Sequence, residues 1–502
     1  MTTTLSWISR ATLMLCALMV AVVSHATVNQ PGTLDPFFAT GSPIGAGKVI
    51  TPIAGGGAAN AIALQRDGKV ILAGYCNFDF CAARYNASGT LDATFGGGIV
   101  VTPVGPGSDY ASAVVVQTDG KVALAGSCGR GFPYLDTDFC ALRYNANGML
   151  DTSFGNGGKV ITVLGANSNS ATALLQQPDG KLVMGGYCYN GTTYVFCALR
   201  YNANGTLDTT FNGTGTVVMH VGAGVNFVYA LALQPDGKLV LAGACDNGTT
   251  YVFCALRYSA NGTLDTSFGA GGTVSTPMVT NQAYAYALAV QPDGKLVLAG
   301  ECSSGGNFDF CALRYNVNGT LDTNFNGSGK VVTPLGSGEV RARGLVLQPD
   351  GKLLIVGSCS NGTNYDFCSL RYHANGTLDT SFNGVGTVIT PMGTGNDIVT
   401  AVALQPDGKL VLAGYCANGA NDDFCALRYD GGPFGYQNCK PDIDGDGSFL
   451  ATTDALINMR IALGITGNAV ISGITFPPTA TRNTWPLIRD YLVTQCGMSL
   501  VQ

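Results

Sequence analysis

The triplet Asp-Gly-Lys recurs seven times at nearly constant spacing, and this periodicity is the strongest constraint on the fold. The copies start at residues 67, 119, 179, 236, 293, 350 and 407, so they are 52, 60, 57, 57, 57 and 57 residues apart. Repeats of this length build solenoids, propellers or arrays. Glycine and threonine are frequent throughout the repeats and no 3.6-residue period is present, which excludes a helical solenoid.

Each repeat contains four short strand segments separated by glycine turns. In residues 285–334 these segments are 286–291, 295–300, 310–315 and 330–333. Runs such as LVLA at 239–242 are apolar without alternation, as expected of strands that are buried on both faces. Four strands per repeat are typical of propeller blades. We therefore expect an all-β fold, a seven-bladed β-propeller of four-stranded blades over residues 27–431.

The ends of the repeat region predict how the ring closes. A Gly-Thr-Leu-Asp segment ends each repeat, but the last repeat stops after Tyr429, and one extra copy stands at residues 32–35 ahead of the first strand. We expect this copy to dock beside the last blade, which removes exposed sheet edges. The pattern QPDGKLVLAG…FCALRYNANGTLDTSFG, over residues 31–430, resembles the delta-60 repeat, a bacterial β-propeller family without a settled function. The resemblance implies the fold and assigns no catalytic residue.

Charge and repetition limit the functions to be considered. Charged residues make up 12 % of the chain and the formal net charge is −6, which disfavours nucleic acid or an anionic membrane as the main partner. The Arg of each Arg-Tyr and the Asp of each Leu-Asp also recur with the repeat. A substrate seldom needs seven equivalent sites, so we expect these residues to pair structurally at each blade junction.

The N-terminus predicts export. Arg10 precedes an apolar stretch at 11–23, and Ser-His-Ala ends at residue 26, so residues 1–26 read as a secretory signal. The alternative is a membrane anchor, for which thirteen apolar residues are too few. We expect no other membrane span and a secreted or cell-surface location, with the periplasm as a further destination.

The cysteines support the same compartment. Of 17, one lies in the signal and fourteen form one pair per blade, flanking the loop between the second and third of the segments above. Two thiols per blade with no local histidine make a poor zinc site, so disulfides are favoured over metal sites. The expected disulfides join Cys76 with Cys81, Cys128 with Cys140, Cys188 with Cys197, Cys245 with Cys254, Cys302 with Cys311, Cys359 with Cys368, and Cys416 with Cys425. A further disulfide between Cys439 and Cys496 is expected to close a C-terminal unit.

Loop variation points to one face of the ring. Taking the KVVT-type segment as the first strand, the first and third connections of a meander leave one face, and the second connection and the blade-to-blade link leave the other. The second connection is always the Asp-Gly turn and the link is nearly constant. The variable connections are 54–60, 105–111, 222–228 and 279–284, together with the cysteine loops, the longest of which is 129–139. Loops on a rigid scaffold often carry binding function. The candidate ligand-binding residues are Arg130, Phe132, Tyr134, Tyr189, Tyr194, Tyr251, Phe308 and Tyr365.

Residues 432–502 predict a small α-helical calcium-loop domain. The segment DIDGDGS at 442–448 matches the first half of an EF-hand loop and resembles a dockerin-type calcium repeat. The terminal acid falls at position 13 and no second calcium loop follows. The expected calcium ligands are Asp442, Asp444, Asp446, Ser448 and Asp454. The alternative is an acidic turn that caps a helix over 454–463. Trp485, Leu487, Ile488, Tyr491 and Leu492 predict a second helix packed on the first.

Catalytic motifs are missing from the sequence. The mature chain has two His and two Glu, in different blades, and no nucleophile elbow or phosphate loop. Asp79, Asp138, Asp309, Asp366 and Asp423 lie near the variable loops, but their recurrence favours a structural role over glycoside hydrolysis. The main hypothesis is a monomeric, non-enzymatic propeller that binds an extracellular glycan or protein through its variable face. The alternatives are a polysaccharide-active enzyme and a structural cell-surface protein.

Overall fold

A computed structural model describes residues 30–131, 136–165, 167–278, 281–303, 306–335, 338–419, 421–432, 443–446, 452–454, 456–457, 460 and 467–494. The predicted signal at 1–26 lies outside this part of the chain. Within it, the repeats form seven antiparallel sheets of four strands each, arranged as the blades of a propeller. The predicted seven-bladed, four-stranded fold is confirmed. No helix among the described residues is long and apolar enough to cross a membrane.

Every blade uses its four strands in the same order from the central channel outward, and blades I to VII are numbered by their innermost strands in chain order. The innermost strands are β2 (Gly57–Leu64), β6 (Asp109–Val116), β10 (Ser170–Gln176), β14 (Asn226–Leu233), β18 (Ala283–Val290), β22 (Val340–Leu347) and β26 (Asp397–Leu404). The second strands are β3 (Val70–Cys76), β7 (Val122–Gly129), β11 (Leu182–Tyr189), β15 (Leu239–Asp246), β19 (Leu296–Ser303), β23 (Leu353–Ser360) and β27 (Leu410–Asn418). The third strands are β4 (Asp79–Tyr85), β8 (Thr137–Tyr144), β12 (Tyr194–Tyr201), β16 (Tyr251–Tyr258), β20 (Phe308–Tyr315), β24 (Tyr365–Tyr372) and β28 (Asn421–Tyr429). The outer strands are β5 (Ile99–Thr102), β9 (Lys159–Thr162), β13 (Thr216–Met219), β17 (Thr273–Thr276), β21 (Lys330–Thr333), β25 (Thr387–Thr390) and β1 (Lys48–Thr51). The predicted segments match these strands, except that the inner pairs extend further toward the loops.

The hydrophobic core lies between neighbouring blades. In β15 the run from Leu239 to Ala242 is fully buried, because each of its faces packs against another sheet. One core cluster joins Val240 and Phe253 of blade IV to Leu296 and Leu313 of blade V. The absence of alternation in these runs is therefore explained by burial on both faces.

The ring closes through its N-terminus, as predicted. Strand β1 pairs with β28 and completes blade VII. Ahead of it, Leu34 forms a β-bridge with Tyr429, and the Gly32 amide donates to the Asp430 carbonyl at 2.7 Å. The edge of β28 is thus covered by a segment from the other end of the repeat region.

The Arg of each Arg-Tyr pair occupies the same buried socket in every blade. Arg84 Nε donates to Asp92 Oδ2 at 2.8 Å, and its Nη1 donates to the carbonyl of Ala146 in the next blade at 2.6 Å. The guanidinium lies 4.7 Å from the ring centroid of Phe95, and Lys69 Nζ of the Asp-Gly-Lys turn lies 3.0 Å from Asp92. The predicted structural pairing is confirmed. The other pairs are Arg143–Asp151, Arg200–Asp208, Arg257–Asp265, Arg314–Asp322, Arg371–Asp379 and Arg428–Asp35.

All seven predicted blade disulfides are formed, one in each blade. Each joins the end of a second strand to the start of the third strand of the same blade, with Cα atoms 5.4 to 5.9 Å apart. The bonds join Cys76 with Cys81, Cys128 with Cys140, Cys188 with Cys197, Cys245 with Cys254, Cys302 with Cys311, Cys359 with Cys368, and Cys416 with Cys425. Disulfides in this number are typical of an oxidising compartment.

The bonded cysteines are not direct cross-strand partners, which corrects the simplest picture of a disulfide between facing residues of a hairpin. Cys76 lies opposite Asp79 and Cys81 lies opposite Gly74. In blade II, Cys128 likewise lies opposite Asp138, and Cys140 lies opposite Gly126. Strand twist brings each diagonal pair within the range that a disulfide spans. The predicted partners Cys439 and Cys496 lie outside the described residues.

One expectation about the connections is wrong. The KVVT-type strand is the outer strand of the preceding blade, so the variable segments such as 105–111 are the blade-to-blade links. The nearly constant Asn-Gly-Thr-Leu-Asp segment instead joins the third and outer strands within a blade. The reason is that closure uses the N-terminal strand as an outer strand, which shifts every blade boundary by one strand. Successive connections of the chain still leave alternate faces of the ring. The variable links and the cysteine loops therefore still share one face.

The C-terminal residues form a separate small core. It contains Ile443, Ile457, Val470, Ile488 and Leu492. A 3-10 turn covers Gly467–Val470 and helix α1 covers Trp485–Thr494. The second predicted helix is therefore present, but Leu487 is exposed rather than packed. Most of the predicted first helix at 454–463 lies outside the described residues.

Candidate functional site

The variable links and the cysteine loops are joined by hydrogen bonds on one face of the ring. In blade II the Gly107 amide donates to the Gly129 carbonyl at 3.0 Å, and the Gly129 amide donates to the Ser108 carbonyl at 2.8 Å. The Asp109 amide donates across the blade junction to the Phe78 carbonyl at 2.7 Å. The face is thus a continuous, hydrogen-bonded surface above the central channel, and we call it the variable face.

A β-bulge in each inner strand determines which side chains reach this face. The register of β18 with β19 shifts between Ala285 and Ala287, so Tyr286 is the extra residue. The bulge pushes the Tyr284 carbonyl toward Gly300, where an added Cβ would lie 1.9 Å from that oxygen. The glycine of each Gly-x-Cys sequence is therefore required by the bulge. The seven bulged residues are Asn60, Ser112, Thr172, Tyr229, Tyr286, Arg343 and Thr400.

In three blades the bulged residue is a small polar latch between neighbours. Asn60 Nδ2 donates to the Ala111 carbonyl at 2.9 Å, Thr172 Oγ1 to the Val228 carbonyl at 2.8 Å, and Thr400 Oγ1 to the Ala59 carbonyl at 2.7 Å. Each acceptor lies in the inner strand of the next blade. In blades IV, V and VI the same position holds Tyr229, Tyr286 and Arg343 instead. A hydrogen bond between neighbouring blades does not explain this replacement, because small side chains such as Asn60 and Thr172 already form it elsewhere in the ring.

The replaced positions belong to a row of aromatic rings on the variable face. We call it the aromatic belt, and every ring in it is partly exposed. It spans blades III to V and consists of Tyr187, Tyr189, Tyr194, Phe227, Tyr229, Tyr251, Tyr284, Tyr286 and Phe308. Adjacent rings are in contact, with centroids 5.1 Å apart for Tyr187 and Phe227, and 4.5 Å apart for Tyr229 and Tyr286. The belt is continuous across two blade junctions.

Charged groups lie where the belt meets blade VI. Arg343 lies over the ring of Tyr286, 3.8 Å from its centroid, and its Nη1 donates to Glu301 Oε2 at 3.0 Å. The Tyr286 hydroxyl donates to the other oxygen of Glu301 at 3.3 Å. Arg341 lies over the ring of Tyr365 at 4.4 Å. We call Glu301, Glu339, Arg341, Arg343 and Tyr365 the polar end of the belt.

Burial controls the ionisation of this region. Desolvation raises the pKa of Glu301, although the charge of Arg343 and the hydrogen bond from Tyr286 oppose the shift. Desolvation likewise raises the pKa of Tyr229 and Tyr286, and neighbouring tyrosines add to it. The tyrosines are therefore neutral hydrogen-bonding groups at neutral pH.

The belt borders the central channel. Tyr286 and Arg343 also line a cavity of about 330 Å³ that is bounded by all seven inner strands. The site therefore offers an open, partly apolar surface beside a polar opening, an arrangement common in ligand sites.

The structure brings together five of the eight predicted ligand-binding residues. Tyr189, Tyr194, Tyr251 and Phe308 belong to the belt, and Tyr365 belongs to its polar end. Phe132 and Tyr134 lie outside the described residues.

Arg130 lies apart from the belt, in blade II. Its Nε donates to Asp138 Oδ2 at 2.8 Å, and it lines a separate surface cavity of about 350 Å³. Because this arginine is bound to a buried carboxylate, its side chain supports the long cysteine loop.

The five loop aspartates, including Asp79, lie in five different blades. Asp138, Asp366 and Asp423 are buried, and they accept hydrogen bonds from neighbouring loop groups. For example, the Ile53 amide donates to Asp423 Oδ1 at 2.8 Å. Burial raises the pKa of Asp309. These contacts are those of loop-supporting residues.

Sequence reasoning missed nine members of the site, and the usable signal was the bulged position of each inner strand. There blades I, II, III and VII carry a small polar residue such as Asn60 or Thr172, whereas blades IV to VI carry Tyr229, Tyr286 and Arg343. The missed residues are Tyr187, Phe227, Tyr229, Tyr284, Tyr286, Glu301, Glu339, Arg341 and Arg343.

The described part of the C-terminal unit shows how its acidic loop is held. Asp454 Oδ1 accepts the amides of Ile443 and Asp444 at 2.6 and 3.0 Å, and the Asp446 amide donates to Asp444 Oδ1 at 3.1 Å. Asp442 and Ser448 lie outside the described residues. In the described part of the chain, no three His, Cys, Asp or Glu side chains are grouped to hold a metal ion. Asp454 thus serves at least as a cap for the loop.

Six segments of the chain match the family model of a domain of unknown function (DUF5122) beta-propeller, at residues 65–95, 117–154, 177–211, 234–268, 291–325 and 348–382. The repeat is a β-propeller repeat. Each matched segment runs from about the Gln before the Asp-Gly-Lys turn to the Phe of the arginine socket. The inner strands, with Tyr229, Tyr286 and Arg343, lie outside the matched segments. The part of the belt that stands on inner strands therefore lies outside the matched segments.

Solved structures resemble the chain only distantly. A protein of unknown function from Dyadobacter fermentans is 11% identical, covering 76% of this chain and 97% of its own, with a TM-score of 0.41. A polysaccharide lyase of family PL25, an ulvan lyase bound to -[GlcA(1-4)Rha3S]-, is 10% identical, covering 77% and 96%, with a TM-score of 0.43. A protein from Lactobacillus plantarum is 14% identical, covering 73% and 96%, with a TM-score of 0.42. Likeness at this level carries no argument about function. No curated protein matches the chain.

Proposed function

We propose that this propeller is an exported, non-enzymatic binding protein that recognises an extracellular glycan through the aromatic belt. The observation that carries the proposal is the replacement of the small polar latch by Tyr229 and Tyr286, within a row of partly exposed rings. Sugar rings have apolar C–H faces and polar edges, so they complement a row of partly exposed aromatic rings. A row of contacting rings suits an extended chain of sugars.

Rigidity of the face favours this role. The disulfide between Cys245 and Cys254 closes the base of the loop that leads into Tyr251, and the arginine sockets fix the blades to one another. A ligand therefore meets side chains that are already positioned, which lowers the entropic cost of binding. The disulfides also support export, and the delta-60 resemblance remains the finer proposal for the repeat family.

Calcium binding by the C-terminal loop remains a separate prediction. Asp444 and Asp446 lie next to each other in the loop, and carboxylate oxygens are the ligands that calcium prefers. Titration of the 27–502 protein with calcium tests it, with Asp446→Asn as the variant. If the heat of calcium binding is lost in that variant, the result supports the site. If calcium binding is unchanged, the ion binds elsewhere.

The proposed function is tested by binding the purified 27–502 protein to a broad glycan array, with calcium and with a chelator. We expect binding to one class of glycan under at least one of the two conditions. A blank array would overturn glycan recognition and favour a protein partner or a structural role. Release of products from the bound glycan, lost on Asp→Asn change at the loop aspartates, would contradict the non-enzymatic assignment.

A further inference from the structure

The polar end of the belt holds two arginines on one inner strand. Arg341 and Arg343 are at the second and fourth positions of β22, and the other six inner strands carry no charged residue at the equivalent positions. Their side chains are 40% and 29% exposed. These partly exposed guanidinium groups beside an apolar platform are unlike the socket arginines, which are buried and paired with aspartate.

Most of the donors on these two side chains are uncommitted among the described residues. Arg341 Nη2 lies 3.9 Å from Glu339 Oε2, beyond hydrogen-bond distance, and the other contacts of Arg341 are with Tyr365. Arg343 uses Nη1 for Glu301 and for the Ala342 carbonyl. A guanidinium has five N–H donors, so several on each side chain remain for a ligand.

Both arginine side chains leave the more exposed side of the strand, because they alternate with the buried residues Val340 and Ala342. The carboxylates beside them, Glu339 and Glu301, are already engaged. Glu301 is buried and accepts from Tyr286 and Arg343, and Glu339 accepts from the Tyr365 hydroxyl. Stacking on the tyrosine rings fixes each guanidinium plane and leaves its edge accessible.

From this geometry we propose that the polar end is a subsite for a carboxylated sugar, so that the glycan bound by the belt is a uronic-acid-containing polysaccharide. The fork of a guanidinium matches a carboxylate with two parallel hydrogen bonds, a more specific contact than a point charge gives. The belt then binds the sugar faces while Arg341 and Arg343 bind the acid group. This inference rests on the proposed function of the belt.

The test compares oligogalacturonate, oligoglucuronate and oligomannuronate with their carboxyl-reduced forms, by calorimetric titration of the 27–502 protein. We expect one acid form to bind roughly tenfold or more tightly than its reduced form, because charge-assisted bidentate pairs are strong. Arg341→Gln should abolish that preference by weakening the binding of the acid form. Arg66→Gln, an exposed arginine on the opposite face, is the matched control and should keep the preference.

The outcomes separate the two proposals. Equal binding of acid and reduced forms, or a preference that survives Arg341→Gln, overturns the carboxylate subsite and leaves glycan binding by the belt intact. Tight binding of a sulfated glycan alone also overturns the carboxylate assignment. Binding of neither form by the wild-type protein overturns the carboxylate subsite, and a blank glycan array in addition overturns the belt as a glycan site.

Discussion

Asp35 and Arg428 are separated by 393 residues, and they form the same buried ion pair that the other six blades form between residues eight positions apart. Arg428 Nε donates to Asp35 Oδ2 at 2.7 Å, and Lys409 Nζ lies 2.6 Å from the same oxygen. A segment ahead of the first blade thus completes the socket of the last one. The stability of the ring therefore depends on a contact between its two ends.

Asp35→Asn tests this closure. We expect it to lower the free energy of unfolding by about 3 kcal/mol, because it leaves a buried arginine without its carboxylate. It should also release β1 and cause concentration-dependent self-association through the exposed edge of β28. Denaturant unfolding and size-exclusion chromatography measure the two effects.

The matched control is Asp322→Asn, which removes the same partner from Arg314 inside one blade. It should destabilise the protein by a similar amount and leave it monomeric. If both variants remain monomeric at high concentration, the N-terminal segment is not what protects the sheet edge.

Acid should destabilise the propeller through its sockets. Burial alone would raise the pKa of the socket aspartates, but hydrogen bonds from Ser, Thr or Lys and the paired arginine lower it, for Asp379 to about 2. A depressed folded-state pKa contributes stability above the unfolded value, about 4, and this stability is lost as pH falls toward the folded value. The same direction holds for Asp35, Asp92, Asp151, Asp208, Asp265 and Asp322.

Three buried carboxyls have pKa shifts in the opposite direction. Burial raises the pKa of Asp109, Asp397 and Glu301, so keeping them charged at neutral pH costs stability. This cost is relieved as pH falls toward their raised folded-state pKa values. We therefore expect the melting temperature to change little down to about pH 5 and to fall steeply below about pH 4. A melting temperature that stays constant to about pH 2 would contradict the role given to the sockets.

Substitution of Gly243 tests whether the bulge requires a glycine on the neighbouring strand. An added Cβ would lie 1.8 Å from the Phe227 carbonyl oxygen, and the contact is with backbone that cannot move alone. We expect Gly243→Ala to cost about 3 kcal/mol of unfolding free energy, at the upper end for overpacking. Gly41→Ala, at a position with no atom within 4 Å of the added Cβ, should be nearly neutral. Equal effects of the two changes in denaturant unfolding would show that the bulge tolerates a side chain.

Removal of one disulfide should weaken the fold without opening the ring. Replacing Cys245 and Cys254 together by Ser removes a loop closure across a sequence separation of 9 residues. On the chain-entropy model the loss is about 2.5 kcal/mol. Unfolding by denaturant measures the loss, and chromatography should show an unchanged monomer. A variant as stable as the wild type would mean that strand pairing alone fixes the loop.

The sequence was sufficient to predict the blades, the disulfides and the Arg–Asp pairing, because these features repeat and each repeat confirms the others. The period predicts the propeller, the apolar runs predict strands buried on both faces, and the displaced Gly-Thr-Leu-Asp copy predicts docking at the last blade. The order of connections was predicted incorrectly, since the repeat does not show whether a strand such as Lys48–Thr51 begins one blade or completes the neighbouring one.

Only five residues of the candidate site were predicted, because the site residues do not repeat from blade to blade. Tyr189, Tyr251 and Phe308 stand in loops that visibly vary, so they could be selected. Tyr286 and Arg343 stand inside regular strands, and only the bulge turns them toward the variable face. A bulge has no sequence mark of its own here beyond the glycine opposite it.

The most direct test of the aromatic belt is the affinity of Tyr284→Ala for the glycan that binds the wild-type protein most tightly. Tyr284 contacts Tyr251, Tyr286 and Phe308, so its removal breaks one of the two ring contacts between blades IV and V and separates Phe308 from the belt. We expect affinity to fall roughly tenfold or more, while Phe37→Ala, which removes an aromatic ring that is 72% exposed elsewhere, leaves it unchanged. Equal affinities for the two variants, with both folded, would contradict the account.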